Sequence, residues 1–142
     1  MIADFIQQRF TERYVESVLN SCARNGFSMM AVGCLMIEAL ESFYQGRYFP
    51  YGHKGVDIFN NFFSRHTAFV SFRDYDKPFY KHVHCGILHQ AETTGGWFIH
   101  RECQPSDPAN RVINAEEFIQ DIEASLIDYC SQLKKTDWND PI

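Results

Sequence analysis

The chain has 142 residues, of which 45% are hydrophobic, 15% aromatic and 22% charged, and its formal net charge is -5. This length fits one compact domain spanning residues 1–142, and the many Phe and Tyr side chains supply a core, which excludes intrinsic disorder. The acidic balance excludes non-specific coating of nucleic acid, because that affinity comes from Lys and Arg neutralising phosphates.

Two features of the sequence predict a cytoplasmic protein that is not associated with a membrane. The longest uninterrupted apolar run, 29–37, is far shorter than the roughly 20 residues that a membrane-spanning helix needs, and residues 1–10 lack a signal-peptide pattern. The cysteines are odd in number, widely spaced and without a CxxC motif, which predicts reduced thiols rather than a disulfide framework or a structural zinc site. They are Cys22, Cys34, Cys85, Cys103 and Cys130.

Helical periodicity runs through most of the chain. Apolar side chains recur every three or four residues in the first predicted helix, and Asn25-Gly26 then interrupts the pattern. The second helix is apolar on nearly every side from Met29 to Leu40, which is typical of the middle of a bundle, and Gly46 ends it. The predicted helices are 4–20, 28–45, 56–66, 75–90 and 115–134.

The segments between the first four helices are predicted from their local composition. Residues 47–55 read as a loop rich in aromatic residues and Gly. Residues 68–72 fit either a short strand or a helical turn, and an irregular approach to the next helix is the favoured interpretation. Pro78 suits the first turn of that helix, where its missing N–H has no helical partner to lose. The side chains expected to face the core from it are Phe79, Val83 and Ile87.

A small β element is predicted between the last two helices. Residues 97–103 alternate as a strand does, and 111–113 are expected to pair back on 97–99 as a β-hairpin. Asn114 is a good N-cap for the last helix, with Glu117 in the capping-box position. The predicted fold class is therefore all-α in the main, a bundle of about five helices with a small β-hairpin between the last two.

The segment 80–97, with the sequence YKHVHCGILHQAETTGGW, holds three of the six histidines. His82, His84 and His89 lie in it beside Lys81. Such a cluster is where this acidic chain is expected to receive a phosphate, and His is the side chain that most readily exchanges protons near neutrality.

The run HCGILHQ at 84–90 resembles the motif of the HEPN superfamily, a group of helical-bundle proteins, in which an Arg precedes a His as in RCGLLHQ. His84 stands at the position of the motif's Arg. Other stretches, including FFSR at 62–65 and GGWFI at 95–99, also look like members of this group, so the resemblance spans most of the chain. The residues that match the motif are Cys85, Gly86, Leu88, His89 and Gln90.

The resemblance implies a homodimer that acts as a metal-independent endoribonuclease without a cofactor, in a toxin–antitoxin or defence setting. Its partners would be RNA and a cognate antitoxin or another protein. In the family, Arg and His hold the scissile phosphate while the ribose 2′-OH attacks. His89 carries over by position, whereas His84 cannot grip a phosphate through two parallel N–H bonds as Arg does.

Two hypotheses about the site follow. In the first, His84 and His89 are a catalytic acid–base pair, although five residues turn an ideal helix by about 140°, so the rings converge only if the helix frays near Gly86 or if two copies meet. In the second, the site is inactive and belongs to an interaction module that binds RNA, a nucleotide or a partner protein. The expected binding residues are Lys81, His82, Cys85 and Gln90.

Three further interpretations concern the same neighbourhood. His82, Cys85 and His89 share a helical face and could hold a transition metal with His100 or Cys103, but this is not an established metal-ligand spacing, so no metal site is expected. A nucleophilic role for Cys85 is disfavoured because the residue lies towards a helix C-terminus. Glu38 needs a partner for its charge if it is buried. Lys81 and Arg65 are the candidate partners, and pairing with the histidine site is a more speculative alternative.

Overall fold

Five helical rods account for most of the described residues, which in this computed structural model are 1–20, 25–46, 55–101 and 104–136. The first rod, residues 2–19, consists of two α-helices joined by a π-helical turn, and the fourth rod, residues 76–90, is built in the same way. We call the fourth rod, residues 76–90, the histidine helix. The bounds are α1 Ile2–Phe10, π turn Thr11–Val15, α2 Glu16–Leu19, α3 Gly26–Gln45, α4 Gly55–Arg65, 3-10 helix Thr67–Tyr75, α5 Asp76–Phe79, π turn Tyr80–His84, α6 Cys85–Gln90, β1 Phe98–His100, 3-10 turn Pro108–Asn110, β2 Val112–Asn114 and α7 Ala115–Lys135.

Helix α3 forms the centre of the bundle, as its apolar sequence predicts. It begins at Gly26, two residues earlier than predicted, and Gly46 ends it as the C-cap. Gly46 has a φ of 62°, which Gly adopts without strain because it has no Cβ. Gly33 allows α7 to approach closely, because a Cβ there would lie 3.0 Å from the Phe118 ring. By length and composition alone α3 is also long and apolar enough to cross a membrane, a weak indication because core helices of soluble proteins meet the same criteria.

Aromatic side chains fill the space between α4, the histidine helix and α7. Segment 68–72 fits either a strand or a helical turn by its sequence. It is part of the 3-10 helix Thr67–Tyr75 and buries Phe69 and Phe72. Of the three core positions predicted on the histidine helix, Phe79 and Val83 are fully buried and Ile87 is partly buried. The predicted loop 47–55 lies outside the described residues except for Gly55, which begins α4.

The small β element is present, but the predicted hairpin is wrong because the two strands run parallel. Phe98 pairs with Val112 and His100 with Asn114. The tight antiparallel pairing is made instead by Asp107 with Val112, around the 3-10 turn Pro108–Asn110. The chain therefore reverses before β2 begins, and β2 meets β1 in the same direction after a crossover connection.

The N-cap of α7 is confirmed, whereas only half of the predicted capping box forms. The Asn114 side chain accepts a hydrogen bond of 3.1 Å from the Glu117 backbone N–H. The Glu117 carboxylate instead accepts a hydrogen bond from the backbone N–H of Ser106. The Ser106 hydroxyl accepts one from the backbone N–H of Asn114. The start of α7 is thus tied to the loop that precedes β2.

Candidate functional site

His84 lies at the junction between the histidine helix and α3. The residue is only 6% exposed, and its Nε2 is 2.8 Å from the Oε1 atom of Glu38. The rings of Tyr80 and Phe59 enclose it, with Tyr80 stacked almost parallel at a centroid distance of 4.7 Å. The speculative pairing of Glu38 with the histidine site is therefore confirmed.

Arg65, which was considered as a partner for Glu38, pairs with another carboxylate. Its guanidinium donates to both carboxylate oxygens of Glu41, at 2.7 and 3.2 Å, and the Gln45 side chain adds a third donor. Glu41 is fully buried, and the Arg65 guanidinium also lies 4.3 Å from the centre of the Tyr44 ring. Sequence reasoning missed this ion pair, and the one-turn spacing of Glu38 and Glu41 on α3 is the signal that both needed partners.

The π-helical turn Tyr80–His84 determines which side chains surround His84. A π turn closes with a hydrogen bond from residue i+5 to residue i, and here the Cys85 N–H donates to the Tyr80 carbonyl oxygen. The wider turn leaves Tyr80 on the same side of the helix as both His84 and Cys85. An uninterrupted α-helix would rotate Cys85 further from Tyr80.

Cys85 is half-buried and contacts both neighbours on this side. Its Sγ is 3.6 Å from Nδ1 of His84, and it also interacts electrostatically with the Tyr80 hydroxyl. Burial, and after it the negative charge that Cys85 can carry, raise the pKa of Tyr80, so this hydroxyl stays protonated as a donor. Gly55 leaves room for the hydroxyl, since a Cβ there would overlap it. Glu38, His84, Cys85 and Tyr80 thus form one connected polar cluster.

The other predicted site residues are distributed differently. His89, Lys81 and Gln90 are exposed. His84 and His89 are not brought together within one chain, because the intervening helix is α-helical and turns them about 140° apart. His82 contacts the following turn through its Nδ1, which is 2.8 Å from the Thr94 hydroxyl. The helix therefore presents His84 inwards and His89 outwards.

The described residues include no group of three or more His, Cys, Asp or Glu side chains that could hold a metal ion. His82, Cys85, His89 and His100 are therefore not assembled into the metal site considered from the sequence. Cys103, the remaining ligand of that hypothesis, lies outside the described residues.

A surface hollow of about 450 Å³ lies elsewhere, between the first helical rod and α7. Its lining includes Asp4, Glu12, Glu16 and Lys134, and Lys134 is ion-paired with Asp4. Three carboxylates against one paired cation make this hollow repel a phosphate rather than attract it. It contains none of the predicted site residues.

Comparison of the chain with family models, curated proteins and solved structures finds no match.

Proposed function

We propose that this protein is a HEPN-like interaction module that does not cleave RNA, and that it binds a protein partner, a second copy of the same chain, at the surface around the Glu38–His84 pair. The observation that carries this proposal is that the His84 ring is buried and that both of its nitrogens have contacts within the protein. One nitrogen faces Glu38, the other faces Cys85, and the residue is 6% exposed.

A buried ring with both nitrogens engaged is poorly suited to metal-independent RNA cleavage. A general acid or base must come within about 3 Å of the 2′-OH or of the leaving oxygen. Within one chain His84 does not face solvent on the side where His89 lies. Even if His84 were released, an imidazole is a weaker phosphate ligand than the Arg of the motif, and losing one charged donor to the transition state costs about 10²-fold or more in rate.

The surface near the pair favours a protein partner over RNA. Leu35 lies one turn before Glu38 on α3, Leu88 lies one turn after His84, and these leucines are 45% and 52% exposed. Because the Glu38 and His84 side chains meet where the two helices pack, each leucine lies about one helical turn from that contact, and we call the surface around it the seam. Exposed apolar side chains beside a partly buried polar pair are typical of protein interfaces, whereas an acidic chain attracts RNA poorly.

The first experiment is incubation of the protein with labelled RNA in EDTA, followed by analysis of the fragment ends. We expect no fragments that end in 2′,3′-cyclic phosphate. Cleavage by the native sequence would refute the proposal that the site is inactive. The His84→Arg variant restores the motif, and cleavage by that variant alone would identify the protein as a silenced nuclease of the HEPN type.

The second experiment measures the molar mass of the protein in solution by light scattering. We expect a dimer for the native chain and a monomer for the Leu35→Asp/Leu88→Asp variant. Val70→Asp is the matched control, because Val70 is 60% exposed on the 3-10 helix Thr67–Tyr75, away from the seam, and should leave the mass unchanged. A native chain that stays monomeric at high concentration would refute self-association.

A further inference from the structure

The proposed function leaves the thiol of Cys85 without a role, although this thiol lies between a base and a hydroxyl donor. We infer that Cys85 is a reactive thiol that hydrogen peroxide oxidises to a sulfenic acid, with His84 as the base that accepts the thiol proton. The contact with His84 is the observation that outweighs the place of Cys85 towards a helix C-terminus, which by itself disfavours a thiolate.

The arrangement has the three parts of an activated nucleophile: a nucleophile, a base in contact with it, and a third group that orients the base. The Cys85 Sγ is 3.6 Å from Nδ1 of His84, and the Glu38 carboxylate is 2.8 Å from Nε2. A carboxylate can only accept, so it favours the tautomer in which Nε2 carries the proton. The lone pair of Nδ1 then points towards the thiol.

Tyr80 supplies the second interaction that a thiolate needs. Its hydroxyl interacts electrostatically with the Cys85 sulfur, and its ring is stacked on His84, which limits the motion of the base. When the proton passes to His84, the resulting imidazolium lies between the thiolate and the Glu38 carboxylate. The new positive charge is thereby stabilised from both sides.

The reaction is balanced within this cluster and one peroxide molecule. The thiol proton moves to Nδ1 of His84, the sulfur attacks one peroxide oxygen, an S–O bond forms and the O–O bond breaks. The leaving hydroxide takes the proton from His84 and becomes water. Cys85 is oxidised by two electrons to the sulfenic acid, and the peroxide is reduced.

A small neutral oxidant suits this position better than a larger disulfide. Cys85 is half-buried, and both the nearby Glu38 carboxylate and the net charge of -5 disfavour an anionic disulfide. Cys34 is the neighbouring thiol, but it is 1% exposed and burial raises its pKa, so it stays protonated and is a poor nucleophile towards the sulfenic acid. The sulfenic acid should therefore persist long enough to be trapped.

The test treats the intact protein with hydrogen peroxide at pH 7, traps sulfenic acids with dimedone and locates the adduct by peptide mass spectrometry. We expect Cys85 to be the main site. Its rate should be several-fold higher than in the same chain unfolded in urea, because unfolding removes the fixed positions of His84 and Glu38 around the sulfur. Equal rates for Cys85 in the folded and unfolded chain would overturn the inference.

Variants of the cluster separate activation from simple exposure. Glu38→Gln and His84→Gln should each slow the trapping of Cys85 several-fold, and circular dichroism should show that the helices are retained. Glu38→Gln is the more informative variant, because the Glu38 side chain is 42% exposed and tolerates an isosteric change. A Glu38→Gln protein that is folded and reacts at the native rate would contradict the assigned role of His84.

Discussion

Replacing Gly86 by Ala tests how tightly the chain after the histidine helix packs against it. A Cβ at position 86 would lie 2.5 Å from the Glu92 carbonyl oxygen and 3.4 Å from the Thr93 Cα. Both are backbone atoms, so the clash cannot be relieved by rotating a side chain. The segment 92–94 has to move away from the helix.

The direction of the effect depends on two opposing contributions to the free energy of unfolding. Ala is favoured over Gly inside a helix by about 1 kcal/mol. Against this, overpacking costs about 1–3 kcal/mol, and a displaced segment weakens two hydrogen bonds worth about 1 kcal/mol each. These bonds join the Thr94 N–H to the His82 carbonyl oxygen at 2.9 Å and the His82 ring to the Thr94 hydroxyl at 2.8 Å. We expect Gly86→Ala to destabilise the protein by about 2 kcal/mol.

Urea unfolding followed by circular dichroism measures this difference, with the slope of the transition checked for constancy. Gly26→Ala is the control, because the nearest atom to a Cβ there is a side-chain methyl of Ile99 at 3.3 Å, which can shift. We expect that control to change the unfolding free energy by less than about 0.5 kcal/mol. A Gly86→Ala protein as stable as the native one would refute the close packing of segment 92–94.

Two further predictions concern charged groups. Arg65→Ala should lower the free energy of unfolding by about 3 kcal/mol, because it leaves the buried Glu41 carboxylate without its partner, and urea unfolding should show whether Glu41→Gln in the same chain recovers part of the loss. Burial, and then the charge of Glu117, raise the pKa of Asp121 to about 6. The protonated Asp121 carboxyl therefore contributes its full stabilisation below about pH 4, the pKa of Asp in the unfolded chain. This stabilisation is lost as the pH rises through 6. The Asp121→Asn variant should not show this loss, so we expect its melting temperature to exceed that of the native protein at pH 7 but not at pH 4. The same difference in melting temperature at pH 7 and at pH 4 would contradict the raised pKa of Asp121.

The bundle itself could be predicted from the sequence because its signals are local. The periodicity of apolar side chains, Pro78 in a first turn, Asn114 as an N-cap and Gly46 as a helix end each act over a few residues. The direction of the β strands could not be predicted in this way. It depends on the reversal of the chain around the turn Pro108–Asn110. Because of this reversal, the antiparallel partner of Val112 is Asp107 and not a residue of β1.

The candidate site was only partly predictable for a related reason. The sequence singled out the segment that carries His84, Cys85 and His89, and helical spacing already placed His84 and His89 on different faces. It did not show that Cys85 meets His84, because adjacent residues of an ideal helix diverge by about 100° and the π-helical turn that changes this has no simple sequence pattern.

What the sequence alone determined is the set of helices and the apolar centre of the bundle, and it also singled out segment 80–97 by its histidines. Only the tertiary structure decided that Glu38 pairs with His84 and that Arg65 pairs with Glu41. The physical reason is that periodicity specifies which face of each helix is buried, whereas the partner of a buried charge is set by how neighbouring helices are offset along their axes. That offset results from packing side chains distant in sequence, such as Gly33 against Phe118 and Gly55 against Tyr80.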